Sequence, residues 1–141
     1  MNDNSRILFI DDERNQVQDY IEVLELDGFE VNFCQYKEDL FSILENQNFD
    51  VVVLDIMLFQ KPPRSSDKFI PSSIDEVTTA GIKLLETLKK YNYPIIILTN
   101  VPLNQISINN VQDFNLIRKY QKVSTLPSQL SRIIHEILNR H

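Results

Sequence analysis

The sequence predicts one doubly wound α/β domain: a parallel five-stranded sheet with helices on both faces. Three observations carry this. Residues 7–10, 51–54 and 95–98 are continuous apolar runs rich in β-branched side chains, the pattern of strands buried on both faces. Amphipathic helical patterns alternate with strands, and such alternation builds parallel sheets through right-handed crossovers. The length of 141 residues suits one domain with a sizeable core.

The elements follow in order. The first strand, Ile7-Leu8-Phe9-Ile10, runs into Asp11-Asp12-Glu13. Val17, Ile21 and Leu24 then share a helical face, and Gly28 is the C-terminal stop. Residues 29–34 read as a second strand and residues 38–45 as a second helix. The third strand, Val51-Val52-Val53-Leu54, ends at Asp55. Ile82, Leu85 and Leu88 mark a third helix. The fourth strand, Ile95-Ile96-Ile97-Leu98, ends at Thr99, and a fifth falls within residues 115–122. The last helix has the clearest stripe, Leu130, Ile133, Ile134, Ile137 and Leu138. Pro127 sits in its first turn, where a missing N–H costs little.

Residues 60–79 break the rhythm with Pro62, Pro63, Pro71 and four serines. A loop of this length is uncommon in a compact domain. It is expected as an insertion between the third strand and third helix, with Ser73-x-x-Glu76 as a capping box that starts the helix early.

Composition removes several functions. The chain has two glycines, Gly28 and Gly81, where roughly ten are expected at average usage. Neither a G-x-G-x-x-G nor a G-x-x-x-x-G-K-[ST] phosphate loop can be written with them. A net charge of −6 argues against direct nucleic-acid binding, which wants a basic footprint. One cysteine, Cys34, forms no internal disulfide and suits a reducing compartment. Met1-Asn2-Asp3-Asn4 is not the start of a signal peptide, and no apolar run approaches the ~20 residues that span a bilayer. A cytoplasmic protein without membrane insertion is expected. His135 and His141 lack zinc-helix spacing.

The informative residues are polar ones at strand ends. Asp11, Asp12 and Asp55 and the hydroxyl of Thr99 fall at the carboxyl edge, where open α/β sheets bind ligands. Asp11-Asp12 alone reads equally as a helix N-cap. Asp55, a lone acid inside an apolar run, would disrupt packing without a role. Carboxylates brought together repel. A divalent cation resolves this, and their hard oxygens suit Mg²⁺, which combines few carboxylates with water and phosphate oxygens.

With these motifs in order, the chain resembles a response-regulator receiver domain of two-component signalling. Residues 7–13 resemble that family's first strand and acidic pair, residues 51–55 its phosphoacceptor strand and residues 95–99 the strand ending in its hydroxyl residue. The resemblance covers essentially the whole chain. It implies a (βα)5 flavodoxin-like fold with strand order 2-1-3-4-5, as one receiver domain over residues 1–141 with no output domain. It implies Asp55 as phosphoacceptor. Asp11, Asp12, Asp55 and the backbone carbonyl of Met57 become the Mg²⁺ ligands. Thr99 and a lysine contact the phosphoryl group. Lys122, 23 residues after Thr99 and five before Pro127, fits the family spacing, and Lys119 is the alternative.

The implied function is that of a phosphoacceptor in a phosphorelay. It is served by a histidine kinase or histidine phosphotransfer protein and acts through an output partner. No turnover of an external substrate is implied. A phosphatase of the haloacid-dehalogenase type is excluded, because its motif needs Asp-x-Asp and Asp55 is followed by Ile56-Met57. Phe59 stands where the family usually has proline, Asn100 where a smaller residue is common, and Val123 where proline usually follows the lysine. These departures admit an alternative: a non-switching adaptor that binds a partner through the Pro/Ser loop.

Overall fold

The computed structural model describes residues 5–11, 13–55, 88, 90–100 and 117–139. The strands are β1 (Arg6–Ile10), β2 (Glu30–Cys34), β3 (Val51–Leu54), β4 (Ile95–Thr99) and β5 (Ile117–Gln121). Helix α1 spans Arg14–Leu26 and α2 spans Lys37–Asn46. A short 3₁₀ turn, Lys122–Ser124, leads to the C-terminal helix, Pro127–Asn139. The sheet order is β2-β1-β3-β4-β5 and every pairing is parallel. This is the flavodoxin-like order expected from the sequence. The chain direction across the sheet reverses between β1 and β3, which opens a crevice at their carboxyl ends.

Both pleat faces are buried. Ile7, Phe9, Val51, Val53, Ile96 and Leu98 form one core with Val17, Tyr20, Ile21 and Leu24 of α1 and Leu130, Ile134 and Ile137 of the C-terminal helix. The alternate residues Leu8, Ile10, Val52, Leu54, Ile95 and Ile97 are buried on the opposite face. Leu40 and Leu44 of α2 are buried outside the first core. Double burial explains why these strands read as unbroken apolar runs.

Helix α1 ends as its sequence requires. Gly28 has φ +99°, its N–H donates to the Glu25 carbonyl, and the Phe29 N–H donates to the Leu24 carbonyl. This is a Schellman stop, in which a residue without Cβ takes the left-handed position. Leu24 and Phe29 close the motif inside the core. Pro127 is the first residue of the C-terminal helix, and the Gln129 side chain accepts from the Leu126 N–H at 2.6 Å. The Ser131 hydroxyl donates to Asp27, tying this helix to the end of α1. Of the expected third helix, Leu88 is described and is buried; Ile82, Leu85, Gly81 and residues 60–79 lie outside the described residues.

Candidate functional site

Register builds the site. Ile10 pairs with Leu54, so Asp11 and Asp55, each one residue further on, emerge side by side. The Asp55 N–H donates to the Ile10 carbonyl at 2.9 Å, and the Asp11 N–H to the Cys34 carbonyl at 3.1 Å. Both acids are therefore held by backbone bonds beyond the strands proper. Thr99 ends β4 and pairs with Gln121, the last residue of β5. Lys122 comes next, so all four groups reach the same edge.

The carboxylates are buried, Asp11 fully and Asp55 to within 3%. Lys122 lies between them: its Nζ is 2.6 Å from Asp55 Oδ2 and 2.7 Å from Asp11 Oδ2. The Asp55 contact has hydrogen-bond geometry. The other oxygen of Asp11, Oδ1, accepts from the Glu13 N–H at 3.0 Å, so Asp11 both shapes the entry to α1 and faces the lysine. Glu13, not Asp11 or Asp12, is the N-cap residue of α1. Thr99 is wholly buried and hydrogen-bonds the Asp55 side chain.

Electrostatics follow from this packing. Burial raises the Asp55 carboxyl above its usual range. The Lys122 charge opposes that rise, Asp11 adds to it, and hydrogen bonds from Lys122 and Thr99 oppose it; the net direction is up. Burial alone would lower the Lys122 ammonium, but Asp55 and Asp11 outweigh it and the net is again upward. The adjacent charges thus favour the ammonium form of Lys122, and the Lys122 charge offsets part of the rise that burial imposes on Asp55.

The sequence-predicted residues separate clearly. Asp11, Asp55, Thr99 and Lys122 come together. Lys119 does not join them: it pairs with Ile97 inside β5. It precedes Tyr120, which packs on the α1 side of the sheet, so the pleat sends Lys119 to the other side. Asp12 and Met57 lie outside the described residues, as does Phe59. Two buried carboxylates that share one cation are a donor set that fits a hard divalent ion.

One contributor was not singled out in the sequence. The Tyr20 hydroxyl, from the buried face of α1, donates to the Thr125 carbonyl at 2.6 Å and lies 3.2 Å from the Lys122 carbonyl. The signal was available: Tyr20 falls on the Val17/Ile21/Leu24 stripe, and a buried tyrosine needs a partner for its O–H.

No family model matches the sequence, and no curated protein does. Solved structures do. A response regulator receiver domain protein from Clostridium thermocellum is 25% identical over 96% of this chain and 95% of that one, with a TM-score of 0.62. A CheY-like receiver domain protein from Methanospirillum hungatei JF-1 is 20% identical over 98% of this chain and 96% of that one, at TM-score 0.66. A two-component response regulator from Clostridium difficile is 20% identical over 97% and 98%, at TM-score 0.71. Among the described residues, no helix is long and apolar enough to cross a membrane. In sheet order and in full-length superposition, the chain folds as a response-regulator receiver domain.

Proposed function

We propose that this chain is a phosphoacceptor of a two-component phosphorelay, with Asp55 as the residue modified. The observation that carries the reading is the placement of the Lys122 ammonium between the buried carboxylates of Asp11 and Asp55. A structural core gains nothing from three ionised groups at a strand edge. Replacing such groups with apolar ones is often neutral or stabilising, so their presence points to chemistry.

The step is an in-line transfer. An Asp55 carboxylate oxygen attacks phosphorus, and the donor's P–N or P–O bond breaks. The electron pair leaves with the imidazole of a phosphohistidine or with the carboxylate of an acyl phosphate. Lys122 and the Thr99 hydroxyl hold the phosphoryl oxygens, a task of positioning and charge neutralisation. Asp11, Asp12, Asp55 and the Met57 carbonyl would hold Mg²⁺, which supplies further neutralisation of phosphoryl charge. The donor class is a histidine kinase or histidine phosphotransfer protein, and output passes through a partner protein. The chain turns over no external substrate beyond its own phosphorylation and slow dephosphorylation.

Incubation with Mg²⁺ and acetyl phosphate tests this. Intact-mass measurement should show one added phosphoryl group, absent in Asp55→Asn. Phosphorylation that persists in that variant would overturn the assignment.

A further inference from the structure

Lys122 leaves the end of β5 and reaches past β4 to acids on β3 and β1. Its side chain is a flexible four-carbon stem, so its reach depends on where its backbone is held. The turn that holds it, Lys122–Ser124, has little packing beyond the lysine side chain itself, since Val123 and Ser124 are exposed. Val123 is 83% exposed, and the Ser124 hydroxyl makes only a 3.4 Å contact with the Gln121 carbonyl. The turn's own backbone closure, from the Thr125 N–H to the Lys122 carbonyl, is 3.3 Å long. The strong anchor comes from another element. Tyr20 of α1 gathers the carbonyls at both ends of the turn, Thr125 at 2.6 Å and Lys122 at 3.2 Å, on one hydroxyl. Its ring is fixed in the core, with its centroid 6.4 Å from that of Phe9.

We propose that Tyr20 is a positioning residue for the Asp55 site: its hydroxyl fixes the backbone of the Lys122 turn and so sets the Lys122 ammonium between Asp11 and Asp55. The kinetic consequence rests on the phosphoacceptor reading; the placement of the ammonium does not. A hydroxyl that served only α1 packing would leave the lysine untouched. One that sets the turn acts on the site only through Lys122, and this distinction can be measured.

Tyr20→Phe keeps the ring and removes the anchor. In the full-length wild-type chain without divalent cation, NMR should show a protected Lys122 side-chain ammonium signal; Tyr20→Phe should lose it while the backbone spectrum elsewhere is retained. Calorimetric Mg²⁺ titration adds a double-mutant cycle with Lys122→Ala. Mg²⁺ and the ammonium compete for the same carboxylates, so Tyr20→Phe should tighten Mg²⁺ binding several-fold in the wild-type background and leave it unchanged in Lys122→Ala. A retained ammonium signal overturns the proposal. So does an equal shift of Mg²⁺ affinity in both backgrounds, or no shift in either. If the wild-type chain takes up no phosphoryl group, the phosphoacceptor reading falls, and the ammonium signal alone still decides the role of Tyr20.

Discussion

Lys122 Nζ stands 2.6 Å from Asp55 Oδ2, and the two side chains are only 9% and 3% exposed. An ion pair this far from water differs in kind from a surface salt bridge. Its net value against an apolar pair is small, but losing one partner is costly, because the other is left buried and charged. Here one ammonium serves two carboxylates, so the consequences of removing each group are unequal.

Lys122→Ala takes from Asp11 and Asp55 the ammonium that lies between them. Breaking a buried pair costs about 3–5 kcal/mol, and this loss should appear in urea unfolding at neutral pH without divalent cation. Saturating Mg²⁺ should return part of it, because a ligand that binds only the folded state stabilises that state. Lys119→Ala, inside β5, should stay within about 0.5 kcal/mol of wild type, as surface substitutions usually do. Equal losses in the two variants would contradict the observed placement of the lysines.

Asp55→Asn should act in the opposite sense. The folded carboxyl titrates above its unfolded value, so the folded state holds its proton to higher pH. Stability contributed by this group is present at low pH and falls as pH rises from the unfolded pKa, about 3.9, through the folded one. Asp55→Asn removes that penalty. It should match or exceed wild-type stability at pH 7, with the advantage shrinking below about pH 4. The Lys122 ammonium, raised in the folded state, contributes stability that is full below its unfolded pKa, about 10.4, and is lost as pH climbs through its folded value. Urea midpoints measured across pH in wild type and Asp55→Asn check both signs.

Thr99→Val keeps the volume of a fully buried side chain and deletes the hydroxyl that bonds Asp55. The stability loss should be about 1 kcal/mol, that of one net hydrogen bond. The rate of phosphorylation from acetyl phosphate should fall by about ten-fold or more, because a donor aimed at transition-state charge is worth more than in the ground state. A variant that loses stability but phosphorylates at the wild-type rate would confine Thr99 to a structural role.

The sheet was legible because its strands are buried on both faces, so burial is written as unbroken runs such as Val51–Leu54. Their carboxyl ends then placed Asp11, Asp55 and Thr99 on one rim without any knowledge of side-chain geometry. The lysine was less legible. β5 is an edge strand with partly exposed residues, so its end is not marked by hydrophobicity, and Lys119 and Lys122 both fit it. Spacing from Thr99 favours Lys122, and the register against β4, with Thr99 opposite Gln121, puts it one residue past the strand end. The Lys122–Ser124 turn and its bond to Tyr20 were illegible for a further reason. That contact spans 102 residues, and no local pattern records a hydroxyl meeting a distant carbonyl.

Gly28 tests how much of the fold rests on a single backbone conformation. Its φ of +99° lies in a region that side chains with a Cβ rarely adopt, yet a Cβ built there meets nothing within 4 Å. Gly28→Ala therefore carries no steric clash, and its entire effect is conformational. The left-handed conformation costs an L-residue roughly 1–2 kcal/mol, offset by about 0.4–1 kcal/mol because the unfolded chain with alanine has less freedom to lose on folding. A net destabilisation of about 1 kcal/mol is expected, read as a lower urea midpoint at unchanged slope. Phosphorylation should be unaffected, because Gly28 ends α1 away from the carboxyl edge where Asp55 sits. A loss of several kcal/mol would mean that the Schellman bonds from Gly28 and Phe29 also break. Asn, which tolerates the left-handed region better than alanine, should then recover part of the loss in Gly28→Asn.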